Sequence, residues 1–590
     1  MVILKKLYLE TETSTADEFV FEPINFKPGL NFILGESSND DYNDKERNKM
    51  NGVGKSLLIE MIDYCLLADL KHSRLNLLPL DLIDDRTSFC LDLEAVQADE
   101  VFEITVKRNR MKSGSLVTII TNGAVVEHED LATARKYLEG FFVMRLSPSA
   151  PSLRSLLSIL IKTEHYVYDG LFYTDGDSKR YNYSELIKPH MYLFGIELEL
   201  LDKVKNAKNE LKNVKEILSS VRRDFKLLNV TEKDVKSHIN DLQDKVESMN
   251  LSINNLEPSD AIEQRKTELA SIQHELNELS TDKASKELML EKIGSLPKVT
   301  SPNIEQIRFV YNSYKDGLGD MVAQSFETVY AFRKEVERYQ QQLVVDKEKE
   351  VRKQIDTIND AARELRSRAT AIYKILNAKE KIDDLMKAIE LQQSSQRELT
   401  LMATKYELYQ DKKNRKQEIE RSLLGYFDAL DAQIFELQNT VSSFESDLKD
   451  LHEAIAGNKK CQFELVVDKD SEKYIQANYR INLDGSAGID RLATFMYDFL
   501  LMTNKHTSVR HPGLLIHDNI FPMTSRDDVV KALNYVASAE TAYNFQYILT
   551  LNKDEIEARA DELNFDYKTK TCKTLTRQSP LLGREYKEIR

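Results

Sequence analysis

The segment of this sequence that could do the clearest chemistry is a short Gly-rich loop followed by an apolar run. The loop comprises Asn51, Gly52, Val53, Gly54, Lys55 and Ser56. In phosphate-binding loops, backbone N–H groups wrap the β-phosphate, a lysine neutralises the β and γ oxygens, and a serine holds Mg²⁺. The spacing therefore predicts that this loop binds the phosphates of ATP, with Ser56 as a metal ligand.

The first glycine of such a loop is displaced in this chain. Lys49 stands five residues before Gly54, where the usual motif has glycine. Gly35, at the end of a strand-like run, resembles the missing first half, and residues 37–50 between the halves are mostly polar. We therefore expect Gly35 to contribute to the ATP site, and residues 37–50 to form an insertion.

A second chemical feature lies far along the chain, where an apolar run ends in Asp518. An acidic residue at this strand end holds the metal and its water in ATPases with such loops, so Asp518 is a predicted catalytic and metal-binding residue. The alternative is an ordinary aspartate that ends a strand. Asn519 follows where a glutamate would normally activate water. Because an amide cannot accept a proton, Asn519 predicts slow hydrolysis or a base elsewhere.

A third feature is the small-residue segment 483–488, which precedes an apolar helix-like stretch. Ser486 and Gly488 lie where a helix N-terminus would offer N–H groups to an anion. They are therefore candidate ATP-binding residues. A capped helix that follows a simple turn is the alternative interpretation.

Composition indicates that long helices separate these segments. Charged residues make up 30% of the 590 residues, with only 19 Gly and 12 Pro. The four cysteines are scattered, which predicts neither a disulfide framework nor a zinc site. No apolar run is long enough for a membrane span, so a cytoplasmic protein is expected. The net charge of −15 argues against general DNA coating, although it leaves local basic patches open.

Apolar residues with a 3.5-residue period fill the middle of the chain, which predicts a coiled coil; Val214, Leu218, Val221 and Phe225 belong to one such seam. Prolines near residue 297 mark the place where the chain turns back. The fold class expected is an α/β ATPase head, formed by both ends of the chain, with a long antiparallel α-helical coiled-coil insertion. The predicted domains are 1–197 (N-terminal head lobe), 198–296 (outgoing arm), 297–350 (helical tip with clustered aromatic residues), 351–456 (return arm) and 457–590 (C-terminal head lobe).

The arms are also predicted to bend partway along. The outgoing heptads stop before Pro258, and the return heptads lapse over residues 392–396, at the same distance from the head. Two weak points at one height favour an elbow. A kink in only one helix is the alternative.

The order of loop, coiled coil, small-residue segment and acidic strand resembles the SMC and RecN/RecF-type branch of ABC ATPases. Other segments resemble a bacterial family of SMC-like proteins with a domain of unknown function. These segments are Arg154–Leu157, Phe309–Tyr311, Phe326–Val344 and Tyr547–Asn552. The resemblance implies heads that form a homodimer around ATP and Mg²⁺, with Ser486 closing the site of the opposite subunit. Asn519 and Asn552 depart from related heads, where glutamate and histidine are usual.

The same resemblance implies a role on DNA. Members of that family serve as the ATPase of ABC three-component and Lamassu-like anti-phage systems, beside accessory proteins and an effector such as a nuclease. A basic hairpin formed by Lys107, Arg108, Arg110 and Lys112 is a candidate for sequence-independent DNA binding; a solvated hairpin is the alternative. A DNA-repair ATPase and an ATP-gated scaffold that does not hydrolyse ATP remain alternatives to a defence ATPase.

Overall fold

A computed structural model describes most of the chain. It shows two compact units: Met1–Asn206 together with Leu424–Arg590, called here the head unit, and Ala207–Leu423, called the arm unit. Residue 424 lies well before 456, so the structure assigns the last part of the predicted return arm to the head unit. The described residues are 1–11, 21–36, 53–79, 82–83, 87–97, 100–110, 117–143, 150–163, 183–254, 263–294, 326–375, 379–481 and 487–583.

The strands of the head unit form three sheets. Their bounds are β1 Val2–Glu10, β2 Ile24–Asn25, β3 Gly29–Glu36, β4 Ser88–Gln97, β5 Glu100–Arg108, β6 Val117–Thr121, β7 Ala124–His128, β8 Ile161–Lys162, β9 Cys461–Val467, β10 Ile475–Ile481, β11 Leu514–Asp518, β12 Gln546–Asn552 and β13 Thr571–Thr576. The six-stranded antiparallel sheet has the order β2-β1-β4-β5-β6-β7, and β9 pairs with β10. The third sheet is parallel, with the order β13-β3-β12-β11-β8.

The parallel sheet combines strands from both ends of the sequence. β3 comes from the N-terminal part, and it pairs with β12 and β13 from the C-terminal part. The central strands are buried along almost their whole length, as expected for parallel strands covered on both faces. The prediction that both ends of the chain build one α/β head is therefore confirmed.

Helices cover the sheets and form the described arm apart from the turn at residues 228–234. Their bounds are α1 Lys55–Cys65, α2 Leu131–Phe142, α3 Leu153–Leu160, α4 Tyr183–Phe194, α5 Leu198–Leu227, α6 Val235–Asn254, α7 Glu263–Gly294, α8 Phe326–Ile375, α9 Lys379–Glu436, α10 Gln438–Ala456, α11 Ala487–Thr503, α12 Arg526–Ala539, α13 Lys553–Glu557 and α14 Tyr567–Lys570. Within the described residues, no helix is both long enough and apolar enough to cross a membrane.

The heptad pattern of the arm is confirmed by burial. On α5, the predicted seam residues Val214, Leu218, Val221 and Phe225 are buried, whereas their neighbours are mostly exposed. Ion pairs flank this seam: Lys405 Nζ lies 2.7 Å from Asp224 Oδ2 across the two antiparallel helices α5 and α9. A narrow buried stripe flanked by charges is the arrangement that a coiled coil requires.

The described part of the arm doubles back on itself. Gln392 Nε2 on α9 donates a 3.1 Å hydrogen bond to Asn250 Oδ1 on α6. If the arm ran straight, the later helix α7 would meet α9 before Gln392. Instead Arg397 Nε, which lies beyond Gln392 on α9, donates to Ser280 Oγ of α7 at 3.3 Å. The helix α7 therefore runs back beside α9, in the direction opposite to α6.

This geometry corrects the position of the predicted elbow. Residues 392–396 belong to the continuous helix α9, and Gln392, Gln393 and Ser395 are buried rather than exposed. The reason is that three helices pack there: Gln393 also accepts a 3.1 Å hydrogen bond from Arg366 of α8. On the return side, the helices end and begin instead at Ile375 and Lys379. Pro258 lies outside the described residues.

Most of the predicted aromatic tip cannot be compared with the structure. Residues 295–325 lie outside the described residues, and so do the side chains of residues 326–334. Tyr339 belongs to α8 and is 64% exposed.

Candidate active site

The candidate site lies at the edge of the parallel sheet where β3, β11 and β12 end. Asn552 is in register with Gly35 on β3, and Asp518 is in register with Thr550 on β12. Ligands of open α/β sheets bind outside the carboxyl ends of the strands. The register therefore brings three predicted or noted site residues, distant in sequence, to one edge.

Lys55 starts helix α1 and reaches this edge. Its Nζ donates a short hydrogen bond to Asn552 Oδ1 and lies 3.4 Å from the Leu551 carbonyl oxygen. A Cβ atom added to Gly35 would lie 3.0 Å from Lys55 Nζ, so any larger residue would crowd the lysine. The structure thus brings Lys55 and Gly35 together.

The turn into α1 requires a glycine. Gly54 caps the helix with φ of 102°, a left-handed conformation that favours glycine. Val53 is buried, and its carbonyl oxygen accepts a hydrogen bond from Leu581 N at 3.1 Å. Ser56 is the second residue of α1. Asn51 and Gly52 lie outside the described residues.

Asp518 is held by one carboxylate oxygen. Thr550 Oγ1 donates a 2.5 Å hydrogen bond to Asp518 Oδ1 and accepts one from Asn519 N at 2.9 Å. The other oxygen, Oδ2, is buried and has no hydrogen-bond partner among the described residues. A buried carboxylate oxygen without a donor is unfavourable unless it serves a ligand, which fits a hydrated Mg²⁺ at this position.

Asn519 adopts a conformation that asparagine tolerates better than most residues. Its φ is 54°, in the left-handed region, and its carbonyl oxygen accepts a 3.0 Å hydrogen bond from Arg491 Nη1. This backbone gives a physical reason for Asn where glutamate was expected. Two carboxylates lie at the same edge: Glu555 accepts from Asn552 Nδ2 at 2.9 Å, and Glu36 pairs with Lys553 Nζ at 2.7 Å.

Gly488 packs directly against the loop that follows Asp518. A Cβ atom added there would lie 2.2 Å from the Met523 carbonyl oxygen, so this position accepts only glycine. Thr524 Oγ1 donates to the Gly488 carbonyl oxygen at 3.1 Å. Ser486 lies outside the described residues. The start of α11 is therefore tied to the segment after β11.

Burial contradicts the predicted DNA-binding role of the two arginines in the hairpin, which are structural residues. Arg108 Nη1 donates to the Tyr64 and Ala68 carbonyl oxygens, each at 2.7 Å, and its guanidinium lies 3.8 Å from the centroid of the Tyr64 ring. Arg110 donates to three carbonyl oxygens, those of Leu75, Leu78 and Ile83. Arg108 and Arg110 therefore hold the polypeptide around α1.

Lys107 of that run offers little to DNA. Lys107 Nζ forms a 2.7 Å ion pair with Glu10, and its side chain is 29% exposed. Lys112 lies outside the described residues.

A buried ionic network lies next to the site. Lys162 Nζ is 2.5 Å from Asp498 Oδ2, and His517 Nε2 lies 3.1 Å from the same oxygen. His517 Nδ1 is 3.0 Å from the Tyr547 hydroxyl. All four side chains are buried.

Burial, together with the charges and hydrogen bonds within the network, determines the protonation states of Asp498 and His517. Burial alone would raise the pKa of Asp498, but the Lys162 charge and the hydrogen bond from His517 lower the pKa overall. Burial lowers the pKa of His517. A neutral His517 then donates from Nε2 to the carboxylate and accepts the Tyr547 proton at Nδ1. Asp498 is thus an ionised carboxylate inside the head.

Four residues of the site and the network were not predicted from the sequence: Thr550, Lys162, Asp498 and Tyr547. Asp498 carries a visible signal, because it is a single charge within the apolar stretch 495–502. Thr550 and Tyr547 carry none, since each lies in an ordinary buried strand and acts only through its register with β11.

Comparisons with known proteins give limited matches. The family model described as "Uncharacterised protein conserved in bacteria (DUF2326)" matches residues 451–585. Among solved structures, the chain is similar to an Smc head domain with a coiled coil and joint from Pyrococcus yayanosii, with 13% identity, a TM-score of 0.34, and coverage of 95% of this chain and 94% of that one. It is also similar to an Smc head domain with an extended coiled coil, bound to the C-terminal domain of ScpA, from Pyrococcus furiosus. That match has 9% identity, a TM-score of 0.31, and coverage of 95% and 92%. No curated protein matches the chain.

Proposed function

We propose that this chain is an SMC-like ATPase whose head binds and hydrolyses Mg²⁺–ATP at the carboxyl edge of the parallel sheet. The observation that carries the proposal is the meeting of Lys55, Gly35 and Asp518 at that edge. These residues are far apart in sequence, and each has the chemistry that a nucleotide phosphate or its metal requires. The buried free oxygen of Asp518 supports the metal part of the proposal.

Each residue has a role in this proposal. Lys55 exchanges its bond to Asn552 for phosphate oxygens, and the N–H groups at the start of α1 face the same anion. Ser56 and Asp518 would hold Mg²⁺, which would supply positive charge to the phosphates. Asn519 orients water, and Glu555 or Glu36 is the carboxylate available to accept its proton.

The proposal extends to two heads. Gly488 lies at the start of α11, as the corresponding segment of ABC-type dimers does, and Ser486 would close the site of the opposite head. The sequence resemblance supports homodimerisation around ATP, action on DNA, and service as the sensor ATPase of an anti-phage system with a nuclease or other effector. A DNA-repair ATPase is the alternative from the same resemblance. The burial of Arg108 and Arg110 moves any DNA contact away from these two residues.

Substitution of Lys55 by alanine tests the site. The variant should lose ATP binding in calorimetry, because it removes the side-chain cation proposed to meet the phosphates. Lys459→Ala is the matched control, since Lys459 is a half-exposed head-unit lysine paired with Asp450 and Glu453. Wild-type affinity in the Lys55→Ala variant would overturn the assignment.

A second candidate function is an ATP-gated scaffold that does not hydrolyse ATP, and Asn519 favours it. Turnover of bound ATP by the wild-type protein, measured with and without DNA ends, separates the two functions. Binding without turnover under both conditions would favour the scaffold.

A further inference from the structure

The buried network connects four separate elements of the head. Lys162 comes from β8, Asp498 from α11, His517 from β11 and Tyr547 from β12. Lys162 and His517 are also in register on adjacent parallel strands. The carboxylate of Asp498 lies between them and is 1% exposed, as is Lys162. One oxygen, Asp498 Oδ2, therefore joins a helix to two strands.

The network acts on the strand end that carries Asp518. Successive residues of a strand point to opposite faces, so His517 and Asp518 fix the end of β11 from its two sides. On one side, His517 is bonded to Asp498 and Tyr547. On the other, Asp518 is bonded to Thr550. Tyr547 and Thr550 both belong to β12, so the end of β11 has little freedom to rotate or shift.

Stability alone does not account for this arrangement. A buried ion pair pays a large desolvation penalty, and its replacement by apolar residues of similar volume is often neutral or stabilising. Here the pair occupies the position that joins α11, whose start contacts the segment after Asp518, to the strand that ends in Asp518. Removal of an outer-shell group that helps to orient a metal ligand typically lowers metal affinity or activity by roughly 10- to 100-fold.

We propose that Lys162, Asp498 and His517 are positioning residues that hold Asp518 in the orientation needed for Mg²⁺ and couple it to helix α11. This inference rests on the proposed function. Its effect is specific: the network should govern how much Mg²⁺ the head needs to bind ATP, while leaving the fold intact once both charges are removed together.

The test compares two double variants with the wild-type protein. Lys162→Met with Asp498→Leu removes both charges and the acceptor for His517, and Lys162→Met with Asp498→Asn removes the charges but keeps an acceptor. The Mg²⁺ concentration for half-maximal ATP binding is measured for each, together with the melting temperature. The first variant should need at least roughly 10-fold more Mg²⁺, and the second should recover most of this loss.

The matched control removes another ion pair of the head unit. Lys188 of α4 lies 2.7 Å from Asp202 of α5, and neither residue belongs to the four network elements. Lys188→Met with Asp202→Leu should leave the Mg²⁺ dependence unchanged. Tyr547→Phe, which removes a single hydroxyl group, supplies a milder variant that keeps the test decisive if the Leu variant does not fold. It should raise the Mg²⁺ requirement by a few-fold.

The outcomes separate this inference from the proposed function. A wild-type protein that binds no ATP would overturn the proposed function and the inference with it. A wild-type protein that binds ATP, together with network variants that have its Mg²⁺ dependence, would overturn the inference alone. Equal losses in the Leu and Asn double variants would also overturn it, because the hydrogen bond to His517 would then have no role.

Discussion

The head unit and the arm unit bury polar groups in different ways. In the head, Lys162 and Asp498 form a salt bridge with 2.5 Å between Nζ and Oδ2, inside a core of parallel strands and helices. In the described arm, the buried polar groups are uncharged, and they include the amides Gln392 and Gln393, which bond across neighbouring helices. A thick core can surround an ion pair completely. A thin helical bundle leaves water close by, and uncharged amides are sufficient to specify which helices meet.

The comparison also separates two kinds of structural information. A buried amide in a helical bundle specifies register, because it is satisfied only opposite its own partner. A buried charge in the head connects elements that carry chemistry, since an unpaired charge there would be much more costly. We therefore expect changes to the arm's amides to affect its geometry, and changes to the head's charges to affect the site.

The largest expected effect concerns the doubled-back arm. With Ser280 and Arg397 both replaced by cysteine, in a background of Cys461→Ser and Cys572→Ser, a short bis-maleimide reagent should cross-link the two cysteines efficiently within one chain. Arg397 Nε lies 3.3 Å from Ser280 Oγ, so cysteines at the two positions lie within reach of a linker that is longer than a disulfide. Cross-linking is measured by mass spectrometry of peptides from α7 and α9.

The matched control for this experiment pairs Ser280→Cys with Lys416→Cys, on the same helix α9. Lys416 lies roughly 28 Å beyond Arg397 by the rise of an α-helix, so this pair should not cross-link. Equal yields for the two pairs, or only cross-links between chains, would contradict the doubled-back arrangement.

Buried residues of the arm could be predicted from the sequence where two helices pair, but not where several helices meet. Each seam helix faces mainly one partner, so a 3.5-residue period was sufficient to identify Val214, Leu218 and Phe225 as buried. The same reasoning failed at residues 392–396. There, polar residues are buried because several helices meet, and a heptad pattern does not describe that environment.

In the head, local motifs were more informative than composition. The lysine of the loop and the aspartate at the strand end are recognisable from their immediate neighbours. Arg108 and Arg110 were misinterpreted, because a basic run looks the same whether it faces water or backbone carbonyl oxygens. Thr550 could not have been predicted, since its contact with Asp518 depends on the register of β11 and β12.

Arg110→Ala tests whether the basic run belongs to the core of the head. The substitution removes the guanidinium donor from three carbonyl oxygens, and hydrogen bonds to charged groups are worth about 1.5–3 kcal/mol each. We expect the free energy of unfolding of the head to fall by about 3 kcal/mol, measured by chemical denaturation. Lys107→Ala is the control and should cost less than about 1 kcal/mol, because its ion pair is partly exposed. Similar losses of unfolding free energy in both variants would mean that the buried contacts of Arg110 stabilise the head no more than a partly exposed ion pair does.

The smallest effect is expected in the arm, where Leu276 packs with Ile272, Leu365, Ala369 and Ile372 between α7 and α8. Leu276→Ala removes buried methyl groups, which costs about 2–5 kcal/mol in proteins. The lower end, about 2 kcal/mol, applies here because a narrow helical bundle can close around the gap. The loss should appear as faster hydrogen exchange in α7 and α8, with ATP binding by the head unchanged.

Met289→Ala is the matched control for Leu276→Ala. Met289 lies on the same helix, but it is 38% exposed, so its truncation should leave hydrogen exchange nearly unchanged. If both variants behaved alike, the cluster around Leu276 would not stabilise the arm. If Leu276→Ala weakened ATP binding as well, the two units would be coupled. The different burial of polar groups would then no longer imply that the arm's polar groups control geometry and the head's charges control the site.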